Sequence, residues 1–570
     1  MGERRLVVEL IKPSHYDDDG YVIQWRKSWV PSNSLACLYG IAQDVAARRA
    51  LGDDVTLEIN AYDETNIVIP IRQIVRRIEA ADGGLVCLVG VQSNQFPRAM
   101  DIARQFRDAG VQVAVGGFHV SGCLAMLPEL PPDIAAARDM GVVLFAGEAE
   151  GRLDELLADA LAGRLKPIYN HLADLPGLQQ EVTPFLPVQM IERYAEAHGA
   201  FDAGRGCPFQ CSFCTIINVQ GRKSRWRDAD DVERLVRANL AQGVHRFFIT
   251  DDNFARNRNW EAIFDRLIEM REKEGLTLHF VIQVDTLCHR IPNFIEKAAR
   301  AGARRVFIGL ENVNPDNLLG AKKKQNRIHE YRQLFLEWRK HGVITYAGYI
   351  LGFPNDTPER IARDIKTVQE ELSLDLIEFF ILTPLPGSED HKVLYTKGVW
   401  MDPDMNKYDL EHVTAQHQTM SPAEWQKLYS DAWHQYYSLE HIERIFRRAK
   451  ASGIKPIKLQ QHMLQFYFTF IQEKVHPLQG GYFRRKVRSQ RRSGLPRENP
   501  VAFFARRAWE IAAAHVNMVR FYWTMNGIRK KVERDPRAYT DRALTPVGEE
   551  AEDDASPLMQ APKKRAAVAA

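Results

Sequence analysis

Apolar stretches alternate with amphipathic stretches along the first part of the chain. This alternation predicts β-strands separated by α-helices, and 85–91 is almost continuously apolar, as in a strand buried on both faces. The predicted strands cover 6–11, 55–62, 85–91, 111–115 and 142–145. The predicted helices cover 34–51, 71–81, 97–109 and 150–162, with a short helix somewhere in 124–139. Residues 1–165 are therefore predicted to form an open parallel sheet of Rossmann type.

Residues 166–199 interrupt the alternation and are predicted to form a linker. They contain Pro167, Pro176, Pro184 and Pro187 and show little periodicity. Six further strand–helix units follow over residues 200–400. Their strands are predicted at 200–205, 245–250, 277–284, 304–310, 343–351 and 376–382. The second region is therefore also α/β, with parallel strands.

The remaining residues favour helices. Helical patterns cover 423–437, where Ser421 is the expected N-cap, and then 457–473 and 502–529. A helical extension is thus predicted for 401–545. Residues 546–570 contain an acidic run at Glu549–Asp554 and are predicted to be disordered.

Composition narrows the possible function classes. The chain has 570 residues, of which 45% are hydrophobic and 26% are charged, as in a soluble protein of several domains. A net charge of +3 gives no global electrostatic argument for nucleic-acid binding. No signal-peptide pattern or long apolar run is present. With seven cysteines, an odd number, we expect a cytoplasmic protein whose thiols stay reduced and free to bind metal.

Three of the seven cysteines lie close together in Gly204–Cys214. Cys207, Cys211 and Cys214 are soft ligands on one loop, which suits zinc or an iron–sulfur cluster. A structural zinc site needs four ligands, and no Cys-x-x-Cys partner follows downstream. A cluster held by three cysteines would leave one iron open to a small molecule.

The spacing Cys-x3-Cys-x2-Cys, with Phe213 just before the last cysteine, resembles the signature of the radical S-adenosylmethionine (SAM) superfamily. The resemblance implies a 4Fe–4S cluster on the three cysteines and SAM on the open iron. It also implies reductive cleavage of SAM to a 5′-deoxyadenosyl radical, with electrons from a flavodoxin or ferredoxin-like partner. The six strand–helix units fit the partial (β/α)6 barrel of this superfamily.

The same resemblance assigns cofactor contacts to the ends of the barrel strands. Asp251 and Asp252 are expected to pair with the SAM ammonium, although an N-cap for the next helix is the alternative. Gln283 is expected at the SAM carboxylate or the substrate. Glu311 is expected at the ribose hydroxyls, and Gly352 at the adenine.

The first domain resembles that of cobalamin-binding radical SAM enzymes of the class B methylase type. The resemblance rests on the Gly116-Gly117-x-His119 turn and on Gly147-Glu148-x-Glu150, both ahead of the cysteine loop. It implies cobalamin at the strand-end loops, with Ser93, Gly116, Gly117 and Glu148 as contacts. Some cobalamin domains supply a histidine to cobalt from the corresponding segment. Here that segment, 63–66, reads Asp-Glu-Thr-Asn and contains no histidine. We therefore expect His119 to be a turn or packing residue.

The resemblance implies a methyltransferase that methylates an unactivated carbon of a small molecule or lipid. The alternatives are a cobalamin-dependent enzyme that closes or rearranges rings, a methylthiotransferase-like enzyme without cobalamin, and a non-enzymatic cluster protein. Cys37 and Cys87 lie in helix and strand patterns, so we expect no second cluster.

Residues 482–507 are strongly basic and interleaved with aromatic residues. We interpret the segment as a solvated face of a helix. Peripheral membrane contact through 482–529 and, less favoured, nucleic-acid contact are the alternatives.

Overall fold

The first region is a six-stranded parallel sheet covered by helices, in a computed structural model that describes residues 4–546. Its strand order is β3-β1-β4-β5-β6-β7, with β2 outside the sheet. The elements are β1 Arg4–Lys12, β2 Gln24–Ser28, α1 Asn33–Ala47, β3 Val55–Asp63, α2 Ile71–Glu79, β4 Gly83–Leu88, α3 Phe96–Asp108, β5 Gln112–Gly116, α4 Phe118–Met126, α5 Pro132–Asp139, β6 Val143–Ala146, α6 Leu153–Leu161 and β7 Ile168–Asn170.

All five strands predicted for this region are present, and the structure adds β7. This strand lies in the predicted linker and pairs with β6 in parallel, Leu144 opposite Ile168. Three residues that follow Pro167 are too few to show a period-two pattern, so the sequence gives no strand signal there.

The second region is also a six-stranded parallel sheet, in the order β15-β14-β13-β12-β11-β8. Its elements are α7 Val188–Ile191, β8 His198–Phe201, β9 Gly204–Arg205, α8 Ile216–Val219, β10 Arg225–Trp226, α9 Ala229–Leu240, β11 Arg246–Ile249, α10 Trp260–Glu272, β12 His279–Val284, α11 Phe294–Ala301, β13 Ala303–Glu311, α12 Pro315–Gly320, α13 Tyr331–Lys340, β14 Ile344–Leu351, α14 Pro358–Glu371 and β15 Leu376–Ile381. The six strands follow one another around the partial barrel that the sequence predicts.

The first barrel strand differs from its prediction of 200–205. It ends at Phe201, and Gly204–Arg205 pairs instead with β10 in a short antiparallel ribbon. The reason is Asp251, whose carboxylate accepts the backbone N–H groups of Ala203 and Gly204 at 2.7 and 2.9 Å. These two groups are therefore unavailable for a longer parallel ladder.

The carboxyl-terminal region is mainly helical. It consists of α15 Glu389–Thr396, α16 Pro422–Tyr436, α17 Leu439–Ala451, α18 Pro456–Phe468, β16 Gly481–Arg485 and α19 Pro500–Arg534. Ser421 caps α16 as predicted, because its side chain accepts from the Glu424 N–H at 3.3 Å. The α/β fold class with terminal helices is thus confirmed. The described residues end at 546, so residues 547–570 of the predicted disordered tail lie outside them.

The interpretation of 482–507 as one solvated helix face is wrong. Strand β16 pairs antiparallel with β2, and helix starts only at Pro500. Arg484 pairs with Asp17 and Lys486 pairs with Asp19, each at 2.9 Å. Much of the basic segment therefore joins the carboxyl-terminal region to the rest of the molecule. Among residues 4–546, no helix has the length and apolarity needed to cross a bilayer.

Candidate active site between the two sheets

The three-cysteine loop lies between β9 and α8 and is held by backbone contacts. Gly206 has φ +85°, and a Cβ there would lie 2.5 Å from the Lys223 carbonyl oxygen, so only glycine fits. The Cys207 N–H donates to the Gly221 oxygen, and the Ser212 N–H donates to the Ala321 oxygen. Cys211 is buried and the other two thiols are half-buried. These contacts fix the path of the loop, which directs its three thiols toward a space partly protected from solvent.

The thiols lie in an environment that suits a charged, multi-iron group. Burial raises the pKa of Cys207, and raises that of Cys214 to about 12, so both are neutral thiols at neutral pH until a bound metal displaces their protons. The side-chain amide of Gln325 donates to Cys211 Sγ at 3.4 Å. Within residues 4–546, no three His, Cys, Asp or Glu side chains are arranged around a single metal ion.

Lys323 is a neighbour of this loop that the sequence analysis missed. Its ammonium is buried, forms an ion pair with Glu311 and lies 5.7 Å from the centre of the Phe213 ring. Cys211 and Cys214 lie close enough to contribute to its electrostatic environment. In the sequence, Lys323 stands out only as part of the polar segment 322–326. Such polar segments are common in loops and do not indicate a cofactor contact.

The two aspartates at the end of β11 have different roles. Asp251 is buried, and besides its two backbone contacts it accepts from the Asn257 amide at 3.0 Å. These contacts tie Asp251 to the fold rather than leave it free for SAM. Asp252 is reachable from the space beside the cysteine loop, and the surrounding protein raises its pKa to about 7. Neither is the N-cap of α10, which is Asn259.

The other predicted barrel contacts are spread along the strand ends. The Gln283 amide donates to the Asp251 carbonyl oxygen at 3.3 Å. Glu311 has φ +60°, an unusual backbone conformation for a residue with a side chain, at an irregularity between β13 and β14. At Gly352 a Cβ would lie 1.9 Å from Trp425 Cζ2. That glycine therefore admits the Trp425 indole of α16, and the structure gives it a packing role.

A large cavity opens where the first sheet meets the cysteine loop. Its volume is about 980 Å³, part of it open to solvent, and its lining is mostly apolar. The lining comes from the carboxyl ends of β4, β5 and β6, from α1 and from the loop residues Arg205, Val219 and Gln220. Ligands of open parallel sheets bind at this edge.

Three of the four predicted first-domain contacts line the cavity: Gly116, Gly117 and Glu148. Gly117 has φ +142°, and a Cβ there would lie 2.1 Å from the Val91 nitrogen. Ser93 is not among the lining residues. It is buried, with Oγ 3.1 Å from Nδ1 of His119, whose Nε2 lies 2.9 Å from Asp133 Oδ2. His119 is therefore a packed, hydrogen-bonded residue, as expected.

A buried ionic network joins this cavity to the cysteine loop. Arg205, two residues before Cys207, pairs with Glu148 and Glu150 at 2.7 Å and with Asp202 at 3.0 Å. Burial alone would raise the pKa of Glu150, but the Arg205 guanidinium outweighs it and holds that pKa below its ordinary value. The network also contains Arg225, paired with Glu148, and Arg227, paired with Asp202. It fixes the first domain against the start of the loop.

A second cavity lies inside the barrel. Its volume is about 690 Å³, part of it open to solvent, and it is lined by residues that include Arg305, Tyr346 and Glu378. Both carboxylate oxygens of Glu378 are buried and lack a hydrogen-bond partner among residues 4–546. Burial raises the pKa of Glu378 to about 8, so this side chain is mainly a neutral acid at neutral pH.

Comparison with known families identifies the central region. The Radical SAM superfamily model matches residues 202–368, which contain the cysteine loop and most of the barrel. Among curated relatives, bacteriochlorophyllide d C-12(1)-methyltransferase of Chlorobaculum tepidum is 27% identical over 320 residues. The match covers 55% of this chain and 66% of that relative, just under two thirds of its length. Hopanoid C-2 methylase of Rhodopseudomonas palustris is 23% identical over 382 residues, which cover 66% of this chain and 69% of that one.

Solved structures resemble the chain over both regions. TsrM of Kitasatospora setae, a radical SAM methyltransferase with cobalamin and a [4Fe–4S] cluster bound, gives a TM-score of 0.54 at 16% identity. The alignment covers 75% of this chain and 85% of that one. The cobalamin-dependent radical enzyme OxsB, with aqua-cobalamin bound, gives 0.51 at 13% identity, with 94% and 82% covered. At these identities the likeness establishes the fold. The domain match and the cysteine loop together show that residues 202–368 of this chain contain a radical SAM domain.

Proposed function

We propose that the protein is a cobalamin-dependent radical SAM methyltransferase that methylates an unactivated carbon. The observation that carries this proposal is the position of the first cavity. It opens at the ligand-binding edge of the first sheet and is bounded on its other side by Arg205, two residues from the first cluster cysteine. Two cofactors held on these two sides would meet in one space. The methyltransferase names of the two curated relatives favour methyl transfer over ring closure.

The residues present fit a 4Fe–4S cluster and SAM. Cys207, Cys211 and Cys214 would hold three irons, which matches the three-cysteine donor set of a cluster with one open iron. Lys323 and Gln325 offer a positive charge and a hydrogen bond to the sulfurs of an anionic cluster. The carboxylate of Asp252 has no ion pair and no hydrogen bond to another residue among 4–546, so it would be available for the ammonium of SAM.

The first cavity fits a large planar cofactor such as cobalamin. Gly116, Gly117 and Gly147 leave the strand ends without side chains, and the walls are mainly apolar. Among residues 4–546, no histidine lines this cavity. At 63–66, Glu64 is buried in an ion pair with Arg98. That segment would therefore supply no ligand to cobalt.

When bound, these cofactors supply the reductive cleavage of SAM and the methyl group. The chain's own residues bind, orient and exclude water. Arg205 and its carboxylate partners fix the cysteine loop against the first domain, and so fix the walls that would hold the two cofactors. Trp425 of α16 packs on Gly352 at the end of β14 and closes that side of the barrel. We propose a small molecule or lipid as substrate, and a flavodoxin or ferredoxin-like protein as the source of electrons.

The test is product analysis with anaerobically reconstituted protein, cobalamin, SAM and a chemical reductant. We expect 5′-deoxyadenosine, and also S-adenosylhomocysteine, which a ring-closing or rearranging enzyme without methyl transfer would not form. The triple substitution of Cys207, Cys211 and Cys214 by Ala should abolish 5′-deoxyadenosine. Cys288→Ala, which removes a buried thiol outside the loop, should retain it. Absence of 5′-deoxyadenosine from loaded wild-type protein would refute a radical SAM activity.

A further inference from the structure

Helix α19 is attached to the molecule along one side. Phe503 is buried with its ring centre 5.4 Å from that of Tyr21, and the ring of Phe521 lies 5.6 Å from that of Tyr467. The Asn517 amide donates to the Gln472 side-chain oxygen at 2.8 Å. The inner side of α19 therefore has its packing and hydrogen-bond partners within this chain.

The opposite side of α19 is apolar and faces solvent. Val501 is 78% exposed, Trp509 74%, Val516 66% and Trp523 63%. At 100° per residue these positions fall on one stripe, which spans about 33 Å at 1.5 Å per residue. The members of this outer stripe are Val501, Ala505, Ala508, Trp509, Ala512, Val516, Val519 and Trp523. Monomeric soluble proteins rarely expose so long an apolar patch, which marks it as a contact surface.

The charge around the outer stripe is positive. Arg520 and Lys530 are exposed on α19 and have no ion pair among residues 4–546, and the same holds for Arg497 just before the helix. The acids of α19 are already neutralised: Glu510 by Arg506 and Arg507, and Glu533 by Arg529. A partner for this face therefore needs an apolar layer that can bury the stripe, and negative charge at the border of that layer.

We propose that the outer stripe of α19 docks in the plane of an anionic lipid bilayer. Tryptophan on the apolar face and lysine or arginine at its borders are the features of helices that lie in the interface. None of the helices in 4–546 can span a bilayer, so the contact is peripheral. A second copy of the chain fits less well, because the stripe is bordered by positive charge and a contact between two such faces would bring like charges together. The inference does not depend on the proposed methyl transfer.

The test is cosedimentation of the full chain with vesicles of phosphatidylcholine alone or mixed with phosphatidylglycerol. We expect binding to the mixed vesicles that about 0.5 M salt weakens strongly. Trp509→Glu with Trp523→Glu should weaken binding about tenfold or more. Trp400→Glu, which changes a tryptophan that is 47% exposed in the loop after α15, should bind like wild type. Circular dichroism would establish that each variant is folded.

A second pair of variants isolates the electrostatic part. Arg520→Glu with Lys530→Glu should lose most of the preference for anionic vesicles, whereas Lys392→Glu with Lys397→Glu, exposed at α15, should keep it. The proposal would be overturned if the wild-type chain bound neither kind of vesicle, or bound both kinds equally well. So would a wild-type dimer in the absence of lipid that Trp509→Glu with Trp523→Glu converts to monomer, because a second copy would then occupy the stripe.

Discussion

The two regions of this molecule that bury charge do so in opposite ways. At the domain boundary, Glu148, Glu150 and Asp202 all accept from arginines, with Arg205 contacting all three. Inside the barrel, Glu378 is buried without any hydrogen bond or ion pair among residues 4–546. The first group pairs with arginines and holds two domains together. The second avoids its charge by staying protonated.

The contrast teaches which buried group the fold itself needs. Removing the partner of a buried charge lowers the free energy of unfolding by several kcal/mol, whereas a buried neutral acid contributes little to it. The boundary network should therefore be essential to structure, and Glu378 should be dispensable to it. Stability measurements on variants of the boundary network and of Glu378 can contradict either half of this expectation.

The largest effect is expected from Arg205→Met. It leaves three buried carboxylates without their common partner, and we expect a loss of about 3–5 kcal/mol in the free energy of unfolding. Adding Glu150→Gln to the variant should recover part of the loss, because one of the uncompensated charges is removed. Denaturant titration measures both. If Arg205→Met were as stable as wild type, the network would not hold the domains together.

A smaller effect is expected from Gly117→Ala in the wall of the first cavity. The new Cβ would meet the Val91 nitrogen at 2.1 Å in a backbone conformation with φ +142°, which should cost about 2–3 kcal/mol. Gly110→Ala is the matched control, because φ there is +75° and nothing lies within 4 Å of the new Cβ. The control should lose about 1 kcal/mol from strain alone. Equal losses would show that the wall tolerates a side chain.

The smallest effect is expected from Glu378→Gln, and it depends on pH. Between its ordinary pKa near 4.5 and its folded pKa of about 8, the native state keeps a proton that the unfolded chain releases. Stability contributed by this residue is therefore present at low pH and falls as pH rises, by about 1.4 kcal/mol per pH unit within that window. Glu378→Gln should match wild type near pH 5 and be more stable by about 2 kcal/mol near pH 6.5. Thermal unfolding at several pH values measures this, and a variant less stable than wild type at pH 8 would contradict it.

The sequence predicted the two parallel sheets because their strands are apolar runs at regular spacing, such as 85–91 in β4. It predicted the cysteine loop because metal ligation leaves a local pattern. It did not reveal the network around Arg205, whose members come from Glu148, Glu150 and Asp202 in two domains. Pairings between residues far apart in the chain leave no periodic signal.

Contacts between residues far apart in the chain are what the sequence does not show. The predicted SAM contact at Asp251 has a structural role that its position did not indicate, because its carboxylate accepts from the backbone at Ala203 and Gly204. The predicted adenine contact at Gly352 also packs against the indole of Trp425, from a helix about 70 residues later. The basic segment looked helical from its composition, but β2 pairs with part of it.

The most direct test is metal analysis of the full chain after anaerobic reconstitution with iron, sulfide and cobalamin. We expect about four irons and one cobalt per chain in the wild type. In the variant with Cys207, Cys211 and Cys214 all changed to Ala, iron should be lost while cobalt remains, because the first cavity is intact. Iron retained in the triple variant, or no cobalt bound by the wild type, would contradict the claim that two cofactors meet between the two sheets.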